Sequence, residues 1–178
     1  MNRRDFLVRS SLLASTALLA RSRLAAQAPT PSPPVTEFRP LRRDVGLFTG
    51  RGGSIGWLAS KDALAVVDTQ FPDTAAVCLA GLPGRAGRSL DVVINTHHHG
   101  DHTSGNPIFK PATRTIVAHE NVPKFQFAAA DKAGTLDKQV YADTTFTEVW
   151  RRDVGSETIM AEYHAPAHTG GDAVVLFE

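Results

Sequence analysis

The sequence is poor in several features that would point to other classes of protein. It contains a single cysteine, Cys78, which excludes an intrachain disulfide framework and a zinc site built from cysteines alone. Its 19 basic and 18 acidic residues give a formal net charge of +1, so nothing indicates a nucleic-acid or polyanion partner. No internal repeat is visible, and 178 residues suit one domain. Cys78 lies in the apolar run 75–80, which predicts a buried core thiol.

Long hydrophobic runs are also absent. The apolar stretch 12–20 near the N-terminus is too short to span a bilayer and contains Ser and Thr. It follows the paired arginines Arg3 and Arg4, and small residues occupy 25–28. This order is typical of a bacterial secretory signal of the twin-arginine (Tat) type, which we predict for residues 1–28. A short amphipathic helix or a membrane anchor is the alternative.

The segment that follows predicts a boundary between the signal and a folded domain. Residues 29–40 contain five prolines and are expected to form an extended linker. The folded domain is predicted over residues 41–178. These assignments imply export to the periplasm or the extracellular space, with no stable membrane span once the signal is cleaved. The sequence says nothing about the oligomeric state.

The most informative stretch places four imidazoles and a carboxylate within six residues, directly after the apolar run 92–94. In an extended segment, side chains two residues apart face the same side, so His97 and His99 should converge while His98 points away. Gly100 then allows the backbone to turn. The stretch therefore predicts a His pair followed by an Asp-His pair. Its five members are His97, His98, His99, Asp101 and His102.

These side chains favour a metal site over other chemistry. Neutral imidazole suits zinc and iron, and carboxylate is the usual oxygen ligand beside it. A catalytic zinc takes about three protein ligands and keeps one position for water, whose pKa falls to roughly 7. Two such ions roughly 3.5–4 Å apart could clamp both sides of a scissile bond. A chance His-rich loop or a surface metal scavenger is the alternative.

Alternation and turn residues predict a layered α/β arrangement. Two short strands flank a glycine-rich turn at 50–53, and a buried strand over 63–69 leads into a helix that begins at Pro72. The motif strand follows over 91–96. Further elements are predicted as a strand over 115–118, a helix from 119 to about 131, and strands over 146–150, 157–163 and 173–177.

The pattern His97-x-His99-x-Asp101-His102 resembles the signature of the metallo-β-lactamase-fold hydrolases, and the resemblance runs from about residue 45 to the last residue. It implies an αββα sandwich. In that family the His pair joins a third His at one metal, whereas the Asp and the following His serve a second metal. The loop His168-Thr-Gly-Gly-Asp resembles the third-histidine loop, so His168 is the expected third ligand.

The same resemblance implies two further roles. Asp101 is expected to orient the nucleophile or to shuttle its proton. Asp68, at the end of the preceding strand, matches a family residue that supports the metal loop by hydrogen bonding, although a simple turn residue is the alternative. His119 is expected to be a helix-start or core-edge histidine rather than a ligand. His164 is expected to be a histidine at a strand end, either on the surface or beside the ligands.

The chain departs from the family pattern at its end. It stops at Glu178, before the bridging Asp and the last His of the family, so we expect an incomplete sandwich and a thin second metal site. The resemblance implies an exported zinc hydrolase, with two ions if the domain is complete. Metal-bound hydroxide would attack an ester, thioester, lactone or lactam bond of a small molecule. A truncated, non-catalytic metal-binding module and a mononuclear iron dioxygenase on the same fold are the alternatives.

Overall fold

The computed structural model describes residues 34–178, so the predicted signal segment, residues 1–28, lies outside the described part. Within residues 34–178, no helix is both long and apolar enough to cross a membrane. The strands are β1 Glu37–Arg42, β2 Val45–Thr49, β3 Ser54–Ala59, β4 Leu64–Val67, β5 Val92–Asn95, β6 Ile116–His119, β7 Thr144–Phe146, β8 Val149–Val154, β9 Glu157–Glu162 and β10 Val174–Phe177. The α-helices are α1 Pro72–Gly81, α2 Gly100–Thr103, α3 Asn106–Phe109 and α4 Asn121–Ala133.

Seven strands form one sheet in sequence order, β1 to β7. The pairs from β1 to β4 are antiparallel, and those from β4 to β7 are parallel. Strands β4, β5 and β6 consist almost entirely of buried residues, as expected for parallel strands covered on both faces. Because their carboxyl ends meet at one edge, Asp68 after β4 and the His-rich stretch after β5 are brought together.

The second sheet is smaller and antiparallel, with strand order β10-β9-β8. Two apolar clusters cover the two faces of the large sheet. One includes Ala75 and Cys78 of α1, and the other includes Ile159 and Ala161 of β9. The large sheet is therefore packed between helices on one face and the small sheet on the other. Cys78 is fully buried, as predicted.

The folded unit begins earlier than the sequence predicts. Residues 37–40, which we assigned to the proline-rich linker, form the first part of β1. Phe38 anchors this strand, since its ring lies 4.8 Å from that of Phe48 between ring centroids. Pro40 is tolerated because β1 is an edge strand.

The segment 146–150, predicted as one alternating strand, is divided between the two sheets. Phe146 ends β7 in the large sheet, and β8 of the small sheet begins at Val149. Between them, the Thr147 carbonyl lies 3.0 Å from His119 Nε2, and the Glu148 carbonyl accepts the Tyr163 N–H at 2.8 Å. Alternation alone does not reveal this crossing, because both strands keep the same period.

Candidate metal centre

Three histidines from two separate loops converge at the carboxyl edge of the large sheet. One nitrogen from each of His97, His99 and His168 lies within 4.8 Å of the other two. His168 Nε2 is 3.0 Å from His99 Nδ1. His97 is buried, and His168 is exposed. The structure therefore brings together the three residues that the sequence analysis assigns to the first metal.

A hydrogen-bonded chain fixes the orientation of the buried histidine. The Thr96 hydroxyl donates to Asp68 Oδ2 at 2.8 Å, so its oxygen is left to accept from His97 Nδ1 at 3.1 Å. The proton of His97 is therefore on Nδ1, and Nε2 carries the lone pair. That Nε2 atom is buried without a hydrogen-bond partner among the described residues. Desolvation, with the neighbouring His102 next in importance, lowers the pKa of His97 to about 4, so the ring is neutral.

Asp68 also holds the Asp-His pair. The same Oδ2 atom accepts from His102 Nδ1 at 2.8 Å, which leaves His102 Nε2 as the free nitrogen, 3.4 Å from Asp101 Oδ2. Desolvation lowers the pKa of His102, but the hydrogen bond to Asp68 and its charge outweigh this effect and raise the pKa. The His102 and His97 rings are 4.0 Å apart between centroids. The second pair of candidate ligands thus adjoins the first three.

Asp68 has a strained backbone conformation that no pattern in the sequence predicts. Its φ is +65°, in the left-handed region that non-glycine residues rarely adopt. Its N–H donates to the Ile94 carbonyl at 2.8 Å, and its Oδ1 accepts the Thr96 N–H at 2.7 Å. Strain of this kind persists only where surrounding contacts over-determine it, and it clusters at functional sites.

The glycine-rich hairpin turn between β2 and β3 lies against the Asp-His pair. A Cβ on Gly52 would come within 2.6 Å of Asp101 Cβ, and one on Gly53 within 2.9 Å of the His102 ring. Gln70 Nε2 donates to the Gly53 carbonyl and so secures the turn. Glycine is needed at these positions because the backbone touches the candidate ligands.

A buried polar network anchors the motif loop. The His102 carbonyl accepts hydrogen bonds from Thr69 N–H at 3.0 Å, Thr69 Oγ1 at 3.0 Å and Asn95 Nδ2 at 3.1 Å. Asn106, which is fully buried, bonds to both Thr69 and Asn95. No sequence signal identified Asn95, Asn106 or Thr69, because the partners of a buried amide are defined only by the fold.

The loop that carries His168 is closed by its own aspartate. Asp172 Oδ2 accepts the Thr169 N–H at 2.6 Å, and Oδ1 accepts from the Thr169 hydroxyl at 3.0 Å. Desolvation opposes ionisation of Asp172, but these hydrogen bonds outweigh it and lower its pKa. Asn121 Nδ2 donates to the Gly170 carbonyl at 2.8 Å and ties the loop to α4.

The two remaining candidate histidines lie outside this cluster. His119 is buried, its ring is stacked on Tyr163 at 3.9 Å between centroids, and its Nε2 lies against the Thr147 carbonyl. His164 is exposed, with Nε2 3.4 Å from Glu162 Oε2. His119 therefore ends β6 as a buried core-edge residue and does not start the helix, which begins at Asn121, whereas His164 lies on the surface near the end of β9.

The donor set fits a zinc-like or iron-like ion. Three imidazoles converge, and the nitrogen of His97 is unprotonated, buried and without a partner, which a metal ion would satisfy. Beside them, His102 Nε2 and the Asp101 carboxylate form a nitrogen–oxygen pair suited to a second ion. Asp68 supplies the carboxylate that typically orients ligating histidines.

Comparison with solved structures gives the fold. BJP-1, a subclass B3 metallo-beta-lactamase of Bradyrhizobium japonicum, is 22% identical, with a TM-score of 0.66 over 82% of this chain and 58% of its own. MEM-A1, a subclass B3 enzyme from a soil metagenome library, is 21% identical, with a TM-score of 0.60 over 83% of this chain and 58% of its own. The chain thus has the metallo-beta-lactamase fold, a mixed α/β sandwich, and spans less than two thirds of the length of these relatives.

Sequence comparison agrees with this fold. A probable metallo-hydrolase of Methanocaldococcus jannaschii is 46% identical over 50 residues, which are 27% of this chain and 25% of that protein. The family model described as the metallo-beta-lactamase superfamily matches residues 48–178. That match includes every candidate ligand and most of the chain. The chain therefore belongs to the metallo-beta-lactamase superfamily.

Proposed function

We propose that this chain carries the metal centre of a hydrolase that cleaves an ester, thioester, lactone or lactam bond in a small molecule. The observation that supports this proposal most directly is the pair of hydrogen bonds that joins Asp68 to Thr96 and Thr96 to His97. These bonds leave His97 Nε2 unprotonated, and this atom is buried without a hydrogen-bond partner among the described residues. A buried histidine with one oriented and one unpartnered ring nitrogen is typical of a metal ligand, because both ring nitrogens of a buried structural histidine normally have hydrogen-bond partners.

In this proposal His97, His99 and His168 hold one ion, and Asp101 and His102 contribute to a second. Asp68 orients His97 through Thr96 and orients His102 directly. Zinc is the proposed metal, with iron as the alternative, and when bound it supplies Lewis acidity and lowers the pKa of water to roughly 7.

Asp101 is the proposed catalytic residue. Its side chain is 37% exposed, so water and substrate can reach it, and one carboxylate oxygen lies 3.4 Å from His102 Nε2. An ionised carboxylate accepts hydrogen bonds only, which allows it to orient an attacking water and to accept its proton at the second oxygen. The Gly52 backbone lies beside it, since a Cβ on Gly52 would come within 2.6 Å of Asp101 Cβ.

The first test measures metal content and hydrolysis together. We expect the purified mature protein to bind zinc and to hydrolyse ester, thioester, lactone or lactam reporters at a rate that chelation removes and zinc restores. His97→Ala should lose both metal and activity, because it removes the buried ligand. His164→Ala is the matched control, since His164 is exposed and outside the cluster.

Three outcomes of this test would contradict the proposal. Full activity in His97→Ala would show that the cluster is not the catalytic centre. Metal binding without turnover of any reporter would favour a non-catalytic metal-binding module. Oxygen-dependent turnover with iron, in place of hydrolysis, would favour a dioxygenase.

We also propose that residues 1–28 direct export by the twin-arginine route. The proposal depends on the paired arginines and the short apolar stretch that follows them. Replacing Arg3 and Arg4 by Lys should keep the full-length precursor in the cytoplasm of a bacterial host. Unchanged processing and periplasmic recovery of the double variant would contradict this route.

A further inference from the structure

Phe125 on α4 is an exposed aromatic residue beside the metal centre. It keeps 40% of its surface exposed, although its ring packs against two parts of the site. The ring centroid is 5.2 Å from that of His98. Its Cε2 and Cζ atoms lie 2.8 and 2.9 Å from where a Cβ on Gly170 would be, so the ring tip rests directly on the backbone of the His168 loop.

These two contacts connect the ring to both loops that carry the three-histidine cluster. His98 adjoins His99, with 4.7 Å between ring centroids, and Gly170 follows His168 by two residues. His99 and His168 themselves face each other at 3.0 Å between Nδ1 and Nε2. Phe125 thus contacts the immediate surroundings of both histidines, so a molecule that extends from His99 or His168 toward α4 would meet the exposed part of this ring.

Exposure alone does not set this ring apart, because Phe127 on the same helix is more exposed; the contacts with His98 and with the His168 loop are what connect Phe125 to the site. A buried phenylalanine contributes to stability in proportion to the apolar area it removes from water, and Phe125 leaves two fifths of its area in solvent. The loop is already tied to α4 by the hydrogen bond from Asn121 to Gly170. An aromatic surface next to polar ligands is the arrangement that fixes the apolar part of a small molecule.

We infer that Phe125 is a specificity-determining residue that contacts an aromatic or branched apolar group on the acyl side of the substrate. The inference rests on the proposed hydrolase function and narrows it to substrates with such a group beside the scissile carbonyl. Aromatic pairs in offset or edge-to-face contact contribute beyond simple area burial, and a tenfold change in affinity is within their range.

The test compares two esters that differ only in the acyl group, 4-nitrophenyl phenylacetate and 4-nitrophenyl acetate. For Phe125→Ala we expect kcat/KM to fall about tenfold for phenylacetate, mainly through KM, and to stay within about twofold for acetate. Phe127→Ala is the matched control, because Phe127 lies on the same helix, is 54% exposed and is two residues along, on another side of α4. The Phe127→Ala variant should have the wild-type kcat/KM for both esters.

A second measurement does not require turnover. Binding of phenylacetate and of acetate to the zinc-loaded protein, followed by NMR, should favour phenylacetate in the wild type and in Phe127→Ala but not in Phe125→Ala. If neither ester is hydrolysed and this preference persists, the hydrolase proposal fails while the contact with Phe125 is supported.

The remaining outcomes overturn the inference. Equal losses for both esters, together with weaker zinc binding, would show that Phe125 only supports the His168 loop. An unchanged ester preference in Phe125→Ala would show that the ring does not contact the acyl group. Absence of any preference for phenylacetate over acetate in binding to the wild type would also show that the ring does not contact the acyl group.

Discussion

Replacement of Asp68 by Asn tests most directly whether Asp68 orients the candidate metal ligands His97 and His102. Asp68 Oδ2 accepts two hydrogen bonds, one from the Thr96 hydroxyl and one from His102 Nδ1. In Asp68→Asn, an NH₂ group at the Oδ2 position cannot accept either of them. His102 would then move its proton to Nε2 to pair with the amide, and Thr96 would no longer be committed to accept from His97. Both candidate sites are therefore affected by one isosteric change.

The expected loss of zinc affinity follows from the two hydrogen-bond routes that start at Asp68, one directly to His102 and one through Thr96 to His97. Loss of a partner that orients a metal-ligating histidine costs about 10–100-fold in metal affinity. The effect on the site of His102 should approach the upper value, because the contact to Asp68 is direct. At the site of His97 it should be nearer tenfold, since the contact passes through Thr96. These factors correspond to about 1.4–2.7 kcal/mol.

The assay is zinc titration in competition with a chromophoric chelator, for the wild type and three variants. Thr96→Val removes only the route to His97 and should weaken only the first site. Asp91→Asn is the matched control, because the Asp91 carboxylate accepts a backbone N–H from Leu64 at 3.0 Å and does not contact the histidines. Affinity within twofold of the wild type in Asp68→Asn would refute this account. An equal loss in Asp91→Asn would point to a general effect on folding.

Three further predictions concern packing around the site and in the core. Gly53→Ala should weaken zinc binding in the same titration, because its Cβ would come within 2.9 Å of the His102 ring, whereas Gly56→Ala meets only Val67 at 3.4 Å and should not. Burial raises the pKa of Cys78 to about 12, so Ellman's reagent at pH 8 should react only after a denaturant is added, and rapid reaction with the native protein would contradict this. Asn106→Ala should lower the free energy of unfolding in urea by roughly 3 kcal/mol, since it leaves several buried groups without partners, and a loss below about 1 kcal/mol would contradict that reasoning.

The sequence predicts which side chains meet at the candidate metal centre where those side chains directly follow a strand. The cluster after β5 was recognised because four imidazoles and a carboxylate in six residues form a local pattern. His168 was identified only through resemblance, yet the structure places it against His99. The role of Asp68 was likewise an expectation from resemblance, and the hydrogen bonds to Thr96 and His102 now give it a physical basis.

Other features follow no local pattern. Alternation does not predict the division of residues 146–150 between two sheets, because it indicates which face a side chain occupies and not which sheet the strand joins. The sequence does not predict the start of β1 at Glu37 either, because prolines favour a linker, whereas in the structure Pro40 lies in an edge strand that the contact between Phe38 and Phe48 anchors.

By itself the sequence determined the order of most strands and of the two longer helices, the two candidate ligand pairs and the residue types available for chemistry, since all three depend on neighbours along the chain. Only the tertiary structure decided which nitrogen of His97 is free, because that depends on the Thr96 hydroxyl and on Asp68, 29 positions earlier in the chain. Only the tertiary structure placed Phe125 against Gly170. Protonation and access are set by groups that meet when the sheets and α4 pack, and those contacts have no period or spacing in the sequence.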